Sequence, residues 1–159
     1  MRRVLVIGSG GSGKSTVAAR LGELLELEVN HLDKFYWRAG WVEPARDEWI
    51  KTVTELMDKD SWVMDGNYSG TLELRLRKCD TIVFLDLPRV LCLWRIVKRF
   101  LIYRNGNRPD VAEGCPENSI SNLLAGCGII LVVQDQRSSS CCANMPERNR
   151  FSGYVLVMK

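Results

Sequence analysis

The chain has 159 residues, a length that suits one domain with a core of its own. With 46% hydrophobic and 26% charged residues it has the composition of an ordinary folded protein, which excludes disordered and fibrous classes. The net charge of +3 is modest but uneven: Arg89, Arg95, Lys98, Arg99, Arg104 and Arg108 share a stretch with no acid before Asp110, a local charge that suits phosphate groups.

Met1-Arg2-Arg3 runs directly into a short apolar segment, and no apolar stretch has the length of a membrane span, so the expectation is a cytoplasmic protein without a leader. The six cysteines show no Cys-x-x-Cys spacing and the one histidine is His31, which supports neither a zinc site nor a disulfide framework.

In chain order, Val4 to Ile7 predicts a buried parallel strand, and Val17 to Leu25 predicts a helix with Ala18, Leu21 and Leu25 on one face. Between them lies Gly8-Ser9-Gly10-Gly11-Ser12-Gly13-Lys14-Ser15-Thr16, the Gly-x4-Gly-Lys-Ser spacing of a P-loop. The residue types follow from the chemistry. Glycines let backbone amides close around phosphate oxygens, Lys14 reaches the outer phosphates, and Ser15 offers a hydroxyl to magnesium. The helix N-terminus behind the loop adds a favourable dipole.

Glu28 to Leu32 reads as a second strand ending at Asp33, at the sheet edge where ligands of parallel α/β folds bind. Asp33 is therefore a candidate to accept the proton of a substrate hydroxyl or to position a metal-bound water. His31 beside it reads as a hydrogen-bonded core or edge histidine. The aromatics Phe35, Tyr36, Trp37 and Trp41 fit either an acceptor pocket or a lid over the sheet edge. A helix is expected from Pro44, with Trp49, Ile50, Val53, Leu56 and Met57 as its apolar stripe.

Ser61 to Met64 predicts a third strand that delivers Asp65, and an apolar strand ending in Asp beside a P-loop is the Walker B arrangement for magnesium. A short helix over Thr71 to Lys78 and a fourth strand over Thr81 to Leu85 follow. The next helix, about Val90 to Tyr103, sets Arg95 and Arg99 four residues apart, where both reach one polyphosphate. Arg104 to Pro109 reads as a mobile flap.

Taken together, Val-Ile-Gly-Ser-Gly-Gly-Ser-Gly-Lys-Ser at 6 to 15, His-Leu-Asp at 31 to 33, Trp-Val-Met-Asp-Gly-Asn-Tyr at 62 to 68, Phe-Leu-Asp-Leu-Pro-Arg at 84 to 89, and Arg-Pro-Asp with Glu-Gly-Cys-Pro-Glu within 108 to 117 carry a family resemblance. Over about residues 1–118 the chain resembles the adenylate-kinase-related P-loop kinases, most closely the bacterial DNA topology modulation, or FlaR-like, proteins. The resemblance implies a three-layer α/β P-loop NTPase of the nucleoside-kinase-like kind, with a five-stranded parallel sheet in the order 2-3-1-4-5. It further implies a basic lid over about 89–116 whose arginines, Arg104 and Arg108 among them, close on ATP.

Beyond Asn118 the resemblance stops. Ser119-Ile120-Ser121-Asn122, written TCG ATA TCG AAT, becomes Phe-Asp-Ile-Glu when a T is restored in front and the frame moves back one base. The same shift turns Cys142 to Phe151 into a helix end, a Gly stop and a strand start. Residues 119–159 therefore read as an out-of-frame tail that alters or replaces the fifth strand; a gene without an indel near codon 118, set against close relatives, contradicts this. The tail still contains two β-prone runs, Gly128 to Val133 and Tyr154 to Met158, either of which could stand in for the lost strand.

The functional expectation is an ATP- and Mg2+-dependent kinase acting on a small-molecule acceptor. In it Lys14, Asp33, Arg95 and Arg99 carry catalysis, Gly8 to Thr16 with Arg104 and Arg108 bind nucleotide, and Ser15 with Asp65 hold the metal. The alternatives are a nucleotide-dependent DNA-binding protein using the basic segment, or a nucleotide-binding product whose tail impairs catalysis.

Overall fold

The computed structural model describes residues 1–103, 114–115 and 154–158. Its strands are β1 (Arg3–Gly8), β2 (Val29–His31), β3 (Trp62–Asp65), β4 (Thr81–Leu85) and β5 (Tyr154–Met158). All pair in parallel in one sheet, in the order β2-β3-β1-β4-β5. The helices are α1 (Lys14–Leu25), α2 (Leu32–Tyr36), α3 (Arg46–Met57), α4 (Ser69–Lys78) and α5 (Arg89–Tyr103).

β1 lies at the centre because its side chains are apolar on both faces, and Val4, Leu5 and Val6 are fully buried. Alternation divides them between two cores. Leu5 joins Trp49, Val53 and Met57 of α3 with Trp62 and Met64 of β3, whereas Val4 and Val6 join Ala18 of α1 with Val63, Val83 and Leu85. Helices on both faces of the sheet make three layers. The register sets Asp65 opposite both Val6 and His31, so the P-loop end of β1 and the ends of β2 and β3 come level at one edge.

One local boundary that affects the site differs from expectation. Leu32–Tyr36 coils into α2 straight after β2, so Asp33 occupies the first turn of a short helix and not a strand end. Arg89–Tyr103 is regular helix throughout, in agreement with the helix expected over about Val90 to Tyr103.

The fifth position is filled from the tail: Tyr154–Met158 pairs with β4 from Thr81↔Tyr154 to Leu85↔Met158, and Asp86 N donates to Met158 O at 2.9 Å. Val155, Leu156, Val157 and Met158 are each about half exposed, which makes β5 an apolar edge strand open to pairing with another chain. Arg104, Arg108, the flap at 104–109, the run at 128–133 and the out-of-frame reading of 119–153 lie outside the described residues. No helix among the described residues is long and apolar enough to cross a membrane.

Candidate active site at the strand ends

The loop between β1 and α1 closes tightly on itself. Ser12 N donates to Ser9 O at 3.2 Å, and Lys14 Nζ donates to Gly8 O at 3.0 Å and Ser9 O at 2.9 Å, so the ammonium lies across the loop. Gly11 shows why glycine is needed: at φ +74° its missing Cβ would stand 2.4 Å from Cys92 O in α5. Any side chain there would push α5 off the loop. Gly13, at φ +90°, is the N-cap of α1, and no side chain caps that N-terminus. The first-turn amides and the dipole of α1 therefore face the loop cavity, the arrangement that binds phosphate.

Two further observations fit a bound polyphosphate. Ser12 Oγ is buried in this loop without a hydrogen-bond partner, a polar atom that an oxygen-rich ligand would satisfy. Arg95 Nη1 donates to Ser12 O at 3.4 Å, which sets a guanidinium at the mouth of the loop, and Arg99 stands one turn further along α5.

The turn after β3, Asp65 to Tyr68, ties this loop to the neighbouring strand end. Asp65 is buried, and its Oδ1 lies 2.8 Å from His31 Nδ1. Asn67 grips the first glycine of the loop from both sides, since Asn67 Nδ2 donates to Gly8 O at 2.6 Å while Gly8 N donates to Asn67 Oδ1 at 3.2 Å. Tyr68 Oη donates to Asp33 Oδ1 at 2.6 Å. Burial pushes the Tyr68 phenol up, and the Asp33 charge and hydrogen bond push it further, so it stays a donor across the physiological range.

Arg75 of α4 holds the turn from beneath. It is fully buried, donating from Nη1 to Gly66 O at 2.7 Å and from Nη2 to Tyr68 O at 2.8 Å. Burial lowers its pKa to about 10, with the charges of Tyr68 and Cys79 acting in the other direction, so the guanidinium remains charged at neutral pH.

The aromatics divide by role. Trp49 is buried and packs against Tyr36 at 4.9 Å and Tyr68 at 5.0 Å, with Tyr36 and Tyr68 4.4 Å apart, and this group belongs to the core. Trp37 and Trp41 are only partly covered and meet edge to face at 5.3 Å. Tyr36 thus packs against the core, while Trp37 and Trp41 stay at its partly exposed edge.

Of the residues expected from sequence, the structure brings the loop Gly8 to Thr16, Arg95, Asp65 and Asp33 to one edge of the sheet. The contacts missed from sequence are the His31–Asp65 pairing, the Asn67 grip on Gly8, the Tyr68 bond to Asp33 and the buried Arg75. Asn67 and Tyr68 had one legible signal, their place directly after a strand-ending Asp-Gly. Ser15 and Asp65 are hard-oxygen donors of the kind magnesium takes, and the buried carboxylate lies where the loop and β3 meet. The donor chemistry fits the metal.

No protein-family model matches this chain, and no curated protein matches it. Solved structures do. The shikimate kinase of Acinetobacter baumannii in complex with shikimate aligns over 100% of this chain and 84% of its own, with a TM-score of 0.60 and 20% identity. The shikimate kinase of Bacteroides thetaiotaomicron aligns over 97% and 85%, at TM-score 0.56 and 15% identity. The deoxyadenosine kinase of M. mycoides with bound dATP aligns over 100% and 91%, at TM-score 0.52 and 13% identity. At these identities the likeness is one of architecture: the chain has the fold of the small-molecule P-loop kinases.

Proposed function

We propose that the chain is a magnesium-dependent P-loop kinase that moves the γ-phosphoryl group of ATP to a hydroxyl of a small molecule. The observation that carries this is the convergence on one turn, where Asn67 fixes the phosphate loop, Asp65 presents a buried carboxylate beside it, and Tyr68 holds Asp33. Lys14 and the loop amides would grip the phosphates, Arg95 and Arg99 would meet the charge that develops on the transferred group, and Asp33 would receive the acceptor hydroxyl. Ser15 and Asp65 would hold magnesium, which supplies charge neutralisation at the phosphates. Arg104 and Arg108 would close over the nucleotide as a lid.

The fold neighbours act on shikimate and deoxyadenosine, acceptors that differ in charge, so acceptor identity has to come from this chain's own side chains. By its motifs the chain resembles the FlaR-like proteins, and the kinase reading would extend to a nucleotide site of the same kind in them.

A thermal-shift titration tests the nucleotide half of this reading. ATP with magnesium at about a hundred times its dissociation constant adds about 2.7 kcal/mol, which for a domain of this size is roughly a 5–10 °C rise in Tm. Chelating the magnesium should remove most of the rise. A Tm unmoved by ATP with magnesium contradicts the proposal.

A further inference from the structure

We propose that the face carrying Asp33 takes a neutral or cationic ring-bearing alcohol, the carboxylate receiving a ring hydroxyl and the Trp37–Trp41 corner receiving the ring itself. This rests on the kinase reading for its use, but the binding face stands on its own geometry.

Two side chains are locked together here. Tyr68 Oη donates to Asp33 Oδ1 at 2.6 Å, with the Trp37 side chain close to the same phenol. Asp33 and Trp37 are one helical turn apart, joined by the backbone bond from Trp37 N to Asp33 O at 3.3 Å. One carboxylate oxygen is thereby fixed. The other meets no side chain among the described residues, and Asp33 is partly exposed. A fixed carboxylate with one open oxygen is built to receive a donor.

The apolar wall beside it is held at a cost. Trp41 sits at φ +61° in the hairpin closed by Arg38 and Val42, a left-handed conformation that a side chain of this size rarely adopts. Held there, its ring stands at 73° to Trp37, so the two indoles form a corner. Such a corner fits the flat apolar face of a sugar, base or cyclitol, and also attracts a cation.

Among the described residues, the charges nearby disfavour an anion. Arg38 is paired with Glu48, Arg75 is spent beneath the turn on two carbonyls, and Arg95 stands at the phosphate loop. Glu43 lies close to Tyr36, adding a second acid to the face, and Lys34 follows Asp33 about 100° around α2. An acceptor carboxylate would be set against Asp33 without a described cation opposite it. In the reaction, the ring hydroxyl oxygen forms its bond to the γ-phosphorus as the bond to the ADP oxygen breaks, and the hydroxyl proton passes to Asp33.

Tryptophan fluorescence without ATP tests this, with myo-inositol and adenosine as neutral probes, 2-deoxystreptamine as the cation and quinate as the anion. Neutral or cationic probes should bind at least about tenfold tighter than quinate, and Asp33→Asn should weaken them by about tenfold and erase the preference. Trp41→Ala should weaken the neutral probes, and Trp37→Phe, which keeps most of the packing, should weaken them less. Quinate binding as tightly as the others, no probe binding at millimolar concentration, or binding indifferent to Asp33→Asn each overturns the proposal. Asp33-dependent binding without phosphoryl transfer leaves this face standing and removes the kinase reading instead.

Discussion

Lys14→Ala is expected to lower the affinity for ATP with magnesium by about 100-fold. Lys14 bridges Gly8 O and Ser9 O, so its ammonium both sets the loop's shape and holds a positive charge over the cavity. Charge-assisted hydrogen bonds of this kind are worth about 1.5–3 kcal/mol each, and 1.4 kcal/mol is tenfold in affinity. Two losses combine in the variant: the contact to phosphate, and the closed geometry of the loop. Isothermal titration of both proteins measures the effect. The fold should survive, because Lys14 lies at the surface end of α1 and touches neither core.

Arg75→Met is expected to destabilise the domain by about 1–3 kcal/mol, the range for leaving a buried acceptor without its donor. Methionine has similar length and fills most of the space, so the cost comes from polarity. The buried Gly66 carbonyl loses the Arg75 donor, while the part-buried Tyr68 carbonyl keeps Thr71 N at 3.2 Å, and an unpaired buried acceptor costs about 1–3 kcal/mol. Loss in urea midpoint at unchanged slope measures it. The variant should also bind ATP more weakly even where it is still folded, since the turn that Arg75 supports carries Asn67 and Asp65 to the loop.

These two residues differ in how well the sequence announced them. Lys14 stands in a spacing that only a phosphate loop explains, and the strand before it and helix after it follow from simple apolar periodicity. Arg75 stands on a helix among Glu73, Arg77 and Lys78 and reads like any solvated charge. Its burial depends on the turn at 66–68 having carbonyls that face α4, and no periodicity encodes that. The His31–Asp65 pairing was hidden for a related reason, because it needs β2 beside β3 in register, a fact of sheet order and not of local spacing.

Asp33 was picked out by its place after a strand, and the structure keeps it at that edge while giving it a helical backbone. Propensity cannot separate a strand that ends from one that turns directly into a short helix, because the deciding contact is Leu32 entering the core. The tail shows the opposite case. Tyr154–Met158 has strand propensity at its own level, and it takes the fifth position through backbone hydrogen bonds that ask little of side-chain identity. Its apolar residues stay about half exposed in that position.

The most direct test of the site is transfer of label from γ-labelled ATP by the purified chain, with magnesium, to hydroxyl acceptors and to water. The account predicts label on a hydroxyl acceptor, dependent on magnesium and reduced by about 100-fold or more in Asp33→Asn, as for loss of a positioned general base. Label that stays on ATP with every acceptor, or transfer equally fast in the Asp33→Asn variant, would contradict it.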